Sequence, residues 1–80
     1  MTKRVRDDKW INTVRENIRF YRKKLGISQE ELGYRMNFAQ QTISGWETGH
    51  FPPRKDYLLD IAKALGVTVE QIEGGENDKG

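Results

Sequence analysis

The chain has 80 residues, 35% of them hydrophobic and 32% charged, with a formal net charge of +2 and no cysteine. That length holds one domain with a small core, the missing cysteines exclude disulfides, thiol catalysis and a zinc finger, and no apolar run approaches the roughly 18 residues of a membrane-spanning helix. The charge is graded: residues 1–35 hold ten Lys or Arg against five Asp or Glu, and residues 56–80 hold two against six. Such a gradient suits a basic face for a polyanion with an acidic end turned away, although solvated charge alone could produce it.

In chain order, residues 1–8 form a polar arm with a basic cluster, Lys3, Arg4 and Arg6. They carry no secretory pattern, and terminal residues of this kind are expected to be flexible. The first helix is expected from Asp8 or Lys9 to Leu25. Trp10 or Ile11, Val14, Ile18, Tyr21 and Leu25 recur at three- and four-residue steps and make one apolar stripe. Gly26 is its C′ stop. Arg15, Arg19, Lys23 and Lys24 line the other face. A basic amphipathic helix also suits a membrane surface, but so short a domain needs the stripe as core. Phe20 lies off the stripe, either covering an extended first helix or meeting a second subunit.

Ser28 opens a second helix. Its hydroxyl can cap the first turn while Glu31 reaches back to the Ser28 N–H as a capping box, and Ile27 with Leu32 forms a hydrophobic staple. Leu32 and Met36 share one face. Gly33 leaves room where a crossing helix would collide. Asn37, the non-glycine residue best suited to positive φ, places a turn at Met36-Asn37-Phe38, and Phe38 can plug the angle between helices. A third helix follows and ends at Gly49. Ile43 and Trp46 mark its inner face, leaving Gln40, Gln41, Ser44, Gly45 and Thr48 as an uncharged outer edge of amides and hydroxyls. That edge is either an ordinary solvated face or a reader of base edges, since Gln can bond adenine N6 and N7 in the major groove.

The loop from Gly49 to Lys55 cannot be helical, because Pro52 and Pro53 restrict it. His50 is the only histidine, which forms neither a metal site nor a triad. Phe51 is expected as core or subunit contact in preference to a base wedge. A fourth helix spans about Lys55 to Leu65, burying Leu58, Ile61, Ala62 and Leu65, with Gly66 as its stop. Thr68 and Gln71 form a capping box for a short fifth helix through Ile72, with Val67 and Ile72 closing the core. Glu73 to Gly80 reads as a tail or linker stub. The domain is therefore expected over residues 9–73, its central motif over 28–49 and its tail over 74–80.

The residues Leu25-Gly26-Ile27-Ser28-Gln29-Glu30-Glu31-Leu32, Gln40-Gln41-Thr42-Ile43-Ser44 and Trp46-Glu47-Thr48-Gly49 resemble the helix-turn-helix of the Cro and phage-repressor type (XRE family). Leu58 and Ile61-Ala62-Lys63-Ala64-Leu65-Gly66-Val67 extend the likeness, which covers roughly Val14 to Ile72. The resemblance implies an all-α, compact five-helix, lambda-repressor-like DNA-binding domain. It implies base reading by Gln40, Gln41 and Ser44. Phosphate contacts are implied for Gln29 at the start of helix two, and for Thr42, Thr48, His50, Arg54 and Lys55. It also implies an ion pair between Arg22 and Glu47, for which there is a physical case as well: a carboxylate on the inward side of helix three needs a partner. In some relatives a basic arm lies on the phosphates or in the minor groove.

Two positions depart from the family pattern. Ala39 stands where a capping Ser or Thr is common, and loss of that cap costs about 1 kcal/mol. Gly45 stands where relatives often carry a longer polar or basic side chain, which either allows close approach to the duplex or narrows the code.

The reading is a sequence-specific transcriptional regulator, with repression the expected sign. The resemblance implies binding as a homodimer to a palindromic operator through recognition helices ~34 Å apart, and a cytoplasmic, nucleoid-associated protein that is bacterial or phage-encoded is expected. The alternative is a protein-interaction module on the same fold, such as an antitoxin or a regulator subunit. An enzyme is not expected: the chain has no general-base constellation, glycine-rich phosphate loop or metal-ligand cluster, and neither a cofactor nor a metal is implied.

Overall fold

A computed structural model describes residues 7–74. Among them are α1 (Asp7–Leu25), α2 (Gln29–Met36), α3 (Gln40–Thr48), α4 (Leu58–Leu65) and α5 (Val69–Glu73), with one 3₁₀ turn at Lys55–Tyr57 and no strand. The expected all-α, five-helix arrangement holds. The basic cluster Lys3, Arg4 and Arg6 lies outside the described residues, but Asp7 and Asp8, assigned to the arm on sequence, already form the first turn of α1.

Each helix buries the stripe its spacing requires. Val14, Ile18 and Tyr21 of α1, Leu32 of α2, Ile43 and Trp46 of α3, four residues of α4 and Ile72 of α5 form one core. Leu25, expected on that stripe, is 45% exposed: it is the last residue of α1, and the chain reverses at Gly26 before anything can cover it. Phe38 fills the angle between α2 and α3, edge-on to Trp46 and Tyr57 with ring centroids 5.5 and 5.0 Å away.

The turns form where backbone conformation selects particular residues. Asn37 has φ 65° and ψ 39° and closes α2 by donating its N–H to the Gly33 and Tyr34 carbonyls. At Gly33 a Cβ would sit 2.6 Å from the Phe38 carbonyl oxygen, so the turn backbone, not a crossing helix, demands glycine there. Ser28 accepts from the Glu31 N–H at 2.9 Å. The reciprocal half of that capping box is replaced, because the Glu31 carboxylate pairs with Arg35 at 3.0 Å, one turn further on. The Thr68 and Gln71 box is complete.

The fifth helix runs one residue further than the expected end at Ile72. Glu73 belongs to α5, and its carboxylate accepts from Trp10 Nε1 at 3.0 Å. The Gly74 carbonyl accepts from Asn17 Nδ2 at 2.8 Å. The expected fourth helix starts as the 3₁₀ turn and becomes α-helical only at Leu58.

Candidate nucleic-acid interface

Helix α3 is held from behind. Ile43, Trp46 and Glu47 face inward and are buried. Arg22 Nε donates to Glu47 Oε2 at 2.6 Å and Arg22 Nη2 to Glu47 Oε1 at 2.9 Å. The remaining guanidinium nitrogen, Nη1, donates to the Ile27 carbonyl at 2.9 Å. One arginine thus joins α1, the α1–α2 turn and α3. The hydrogen bonds to Glu47 raise the Arg22 pKa above its usual value, against burial acting the other way. Arg15 adds a second tie, its Nη1 donating to the Glu47 carbonyl at 3.4 Å.

Gln40 and Gln41 occupy the first turn of α3 and both are exposed. Ala39, before them, supplies no side-chain cap. Ser44 and Thr42 are half-buried beside the exposed Gln41. Gly45 does not belong to the open edge: it is buried, and a Cβ there would overlap Cζ of Phe51 and approach Cε2 and Cε1 to 2.6 and 2.9 Å. The space left by glycine is thus occupied by the protein's own aromatic ring. Phe51 itself is 46% exposed and stands outside the core cluster.

The other predicted contacts spread around this edge. Gln29 opens α2, and its Nε2 donates to Glu47 Oε1 at 3.0 Å, so one of its two N–H groups is engaged inside the protein. The Thr48 hydroxyl turns back to donate to the Ser44 carbonyl at 2.9 Å and lies 2.8 Å from His50 Nδ1. Its single proton serves the Ser44 carbonyl or, in the tautomer with an unprotonated Nδ1, the His50 imidazole, and donation to a phosphate would require breaking that bond. Arg54 pairs with Asp56 at 3.2 Å on the exposed surface. Lys55 Nζ sits 5.3 Å from the centre of the Trp10 ring.

Asn17 is not among the residues expected from sequence to shape the domain. It is buried, and its Nδ2 donates to the Gln71, Ile72 and Gly74 carbonyls at 3.2, 2.8 and 2.8 Å, fastening the end of α5 to α1. Asn17 comes three residues after Val14 and four before Tyr21, so helical spacing already places it on the buried stripe. Among the described residues no group of His, Cys, Asp or Glu could hold a metal ion, and no helix is long and apolar enough to cross a membrane.

Two short helices joined at a left-handed asparagine, the second braced from behind and open at its first turn, define a helix-turn-helix domain. The helix-turn-helix family model matches residues 18–72, and the chain belongs to the XRE-type helix-turn-helix family. It is 43% identical over 53 residues to an uncharacterized HTH-type transcriptional regulator of Methanothermobacter thermautotrophicus, covering 66% of this chain and 77% of that one. It is 31% identical over 67 residues to the HTH-type transcriptional regulator DicA of Escherichia coli, covering 84% of this chain and 50% of DicA. Against repressor protein C2 of Salmonella phage P22 the identity is 36% over 61 residues, 76% of this chain but 28% of the repressor. The crystal structure of the hypothetical transcription factor NHTF from Neisseria shares the fold, with a TM-score of 0.81 at 22% identity, covering 99% of this chain and 92% of that one.

Proposed function

We propose that this protein is a sequence-specific, double-stranded DNA-binding transcriptional regulator that acts as a repressor. Two copies sit on a two-fold symmetric operator, on the nucleoid in the cytoplasm, and each inserts α3 into the major groove. The observation carrying this reading is the exposure of Gln40 and Gln41 on the first turn of a helix whose other side is locked into the core. Gln40, Gln41 and Ser44 read base edges, for which a carboxamide offers the paired donor and acceptor that adenine requires. Gln29 contacts phosphate with the amide N–H that Glu47 leaves free. Thr42, His50, Arg54 and Lys55 flank it on the backbone, and Thr48 acts chiefly by holding the His50 imidazole. Arg54 reaches phosphate by exchanging its exposed Asp56 partner, a pair of a kind worth little in water.

Selection of binding sites from a random duplex pool tests this directly. A palindrome is expected, with affinity falling steeply as salt rises because Lys and Arg contacts release counterions. Gln40→Ala and Gln41→Ala should each weaken operator binding by about 1–3 kcal/mol and leave nonspecific binding nearly intact. Equal losses on both DNAs would refute their base-reading role. Gln29→Ala should weaken all sequences alike, so a loss confined to the operator would contradict its phosphate role. A chain with no duplex affinity at low salt and a tight protein partner would instead be an interaction module.

A further inference from the structure

At about 3.6 residues per turn, the side of α3 opposite Ile43 carries Gln41, Gly45 and Thr48. Gly45 therefore points away from the core, and it is buried only because the Phe51 ring lies on it. The loop is pinned in that position. The N–H groups of Gly49, His50 and Phe51 converge on the Gly45 carbonyl at 3.1, 3.0 and 3.5 Å. Pro52 further restricts Phe51 to extended backbone. A half-exposed aromatic ring is thus held, before any ligand arrives, on the outward side of the helix and in the same column as Gln41.

We propose that Phe51 is a specificity-determining residue that contacts the C5 methyl group of a thymine next to the base read by Gln41. The inference rests on the proposed DNA-binding function and adds to it a reader contributed by the loop. In the major groove the apolar feature that distinguishes one base pair from another is the thymine methyl. The rest of this edge consists of amides and hydroxyls with only the small methyl groups of Ala39, Thr42 and Thr48, so the ring supplies by far its largest apolar surface. Glycine at position 45 makes the arrangement possible, because any side chain there would occupy the space of the ring.

The test uses the full chain and the operator enriched from a random duplex pool, with each thymine replaced in turn by deoxyuridine. Loss of one buried methyl contact should weaken binding about fourfold per half-site at a single thymine position. Phe51→Ala should bind the thymine and deoxyuridine operators equally well. Gly45→Ala supplies a second variant. Its added methyl meets the half-exposed Phe51 ring rather than backbone, so the ring must leave its seat, and with the helical circular dichroism unchanged thymine and deoxyuridine again become equivalent. If no thymine position responds to deoxyuridine, or if the response persists in Phe51→Ala, the inference is overturned. It also fails if Phe51→Ala changes the oligomeric state while leaving the thymine preference intact. A chain that enriches no duplex overturns the proposed function and this inference with it, whereas operator binding indifferent to the methyl group overturns the inference alone.

Discussion

Replacing Arg22 with methionine isolates what holds the recognition helix in place. The Arg22 and Glu47 side chains are 10% and 2% exposed, so the carboxylate is almost wholly out of water. Without the guanidinium, the Glu47 carboxylate keeps, among the described residues, only the Gln29 amide at 3.0 Å, and the Ile27 carbonyl loses the Arg22 donor. Leaving one member of a buried pair unpartnered costs about 3–5 kcal/mol. In a domain of this size each kcal/mol moves the melting temperature by about 4–8 °C, so Arg22→Met should melt at least about 12 °C below the parent chain. Thermal unfolding by circular dichroism and urea titration at unchanged m should agree on the loss. The double variant Arg22→Met, Glu47→Met removes both charges and should recover much of it, because a buried ion pair is often near neutral against apolar residues of similar volume. An Arg22→Met chain melting within about 2 °C of the parent would refute the reasoning, as would a double variant whose loss equals the sum of the single losses.

Three further substitutions probe the scaffold. Ala39→Ser should stabilise by about 1 kcal/mol, because residue 39 already has the extended N-cap backbone and lacks only an acceptor; an unchanged melting temperature would show that the first turn of α3 gains nothing from a cap. Gly33→Ala should destabilise by about 1–3 kcal/mol in urea titration despite the better helix propensity of alanine, since the new methyl meets the Phe38 carbonyl oxygen, a backbone atom that cannot swing aside. Asn17→Ala should cost about 1–3 kcal/mol by leaving buried carbonyls unpaired, and amide exchange should accelerate first in α5, where those bonds end.

What could be read in advance followed from local chemistry. The apolar stripes required by a small core gave the helices, and Asn37, Gly26, Gly49 and Gly66 marked the turns because positive φ excludes most side chains; all four have it in the structure. Thr68 and Gln71 announced their capping box by spacing alone. Glu31 shows where local reading stops. The same carboxylate can return to Ser28 or reach Arg35 one turn away, and its partner in the structure is Arg35.

The candidate interface divides in the same way. Gln40 and Gln41 were legible as an exposed edge because Ile43 and Trp46 fix the helix phase, and a phase set by two buried residues also sets what faces outward. The burial of Gly45 and the position of Phe51 were not legible, since both depend on a loop folding back across six residues onto the helix it has just left. The three carbonyl contacts of Asn17 were hidden for a related reason: they join residues more than fifty positions apart. Sequence by itself determined the helices, their stops and, Leu25 and Gly45 apart, the face each buries, because propensity, capping and periodicity act within a few residues. Only the tertiary structure decided which polar and aromatic groups meet, because those pairings depend on helix ends and a loop brought together by the common core.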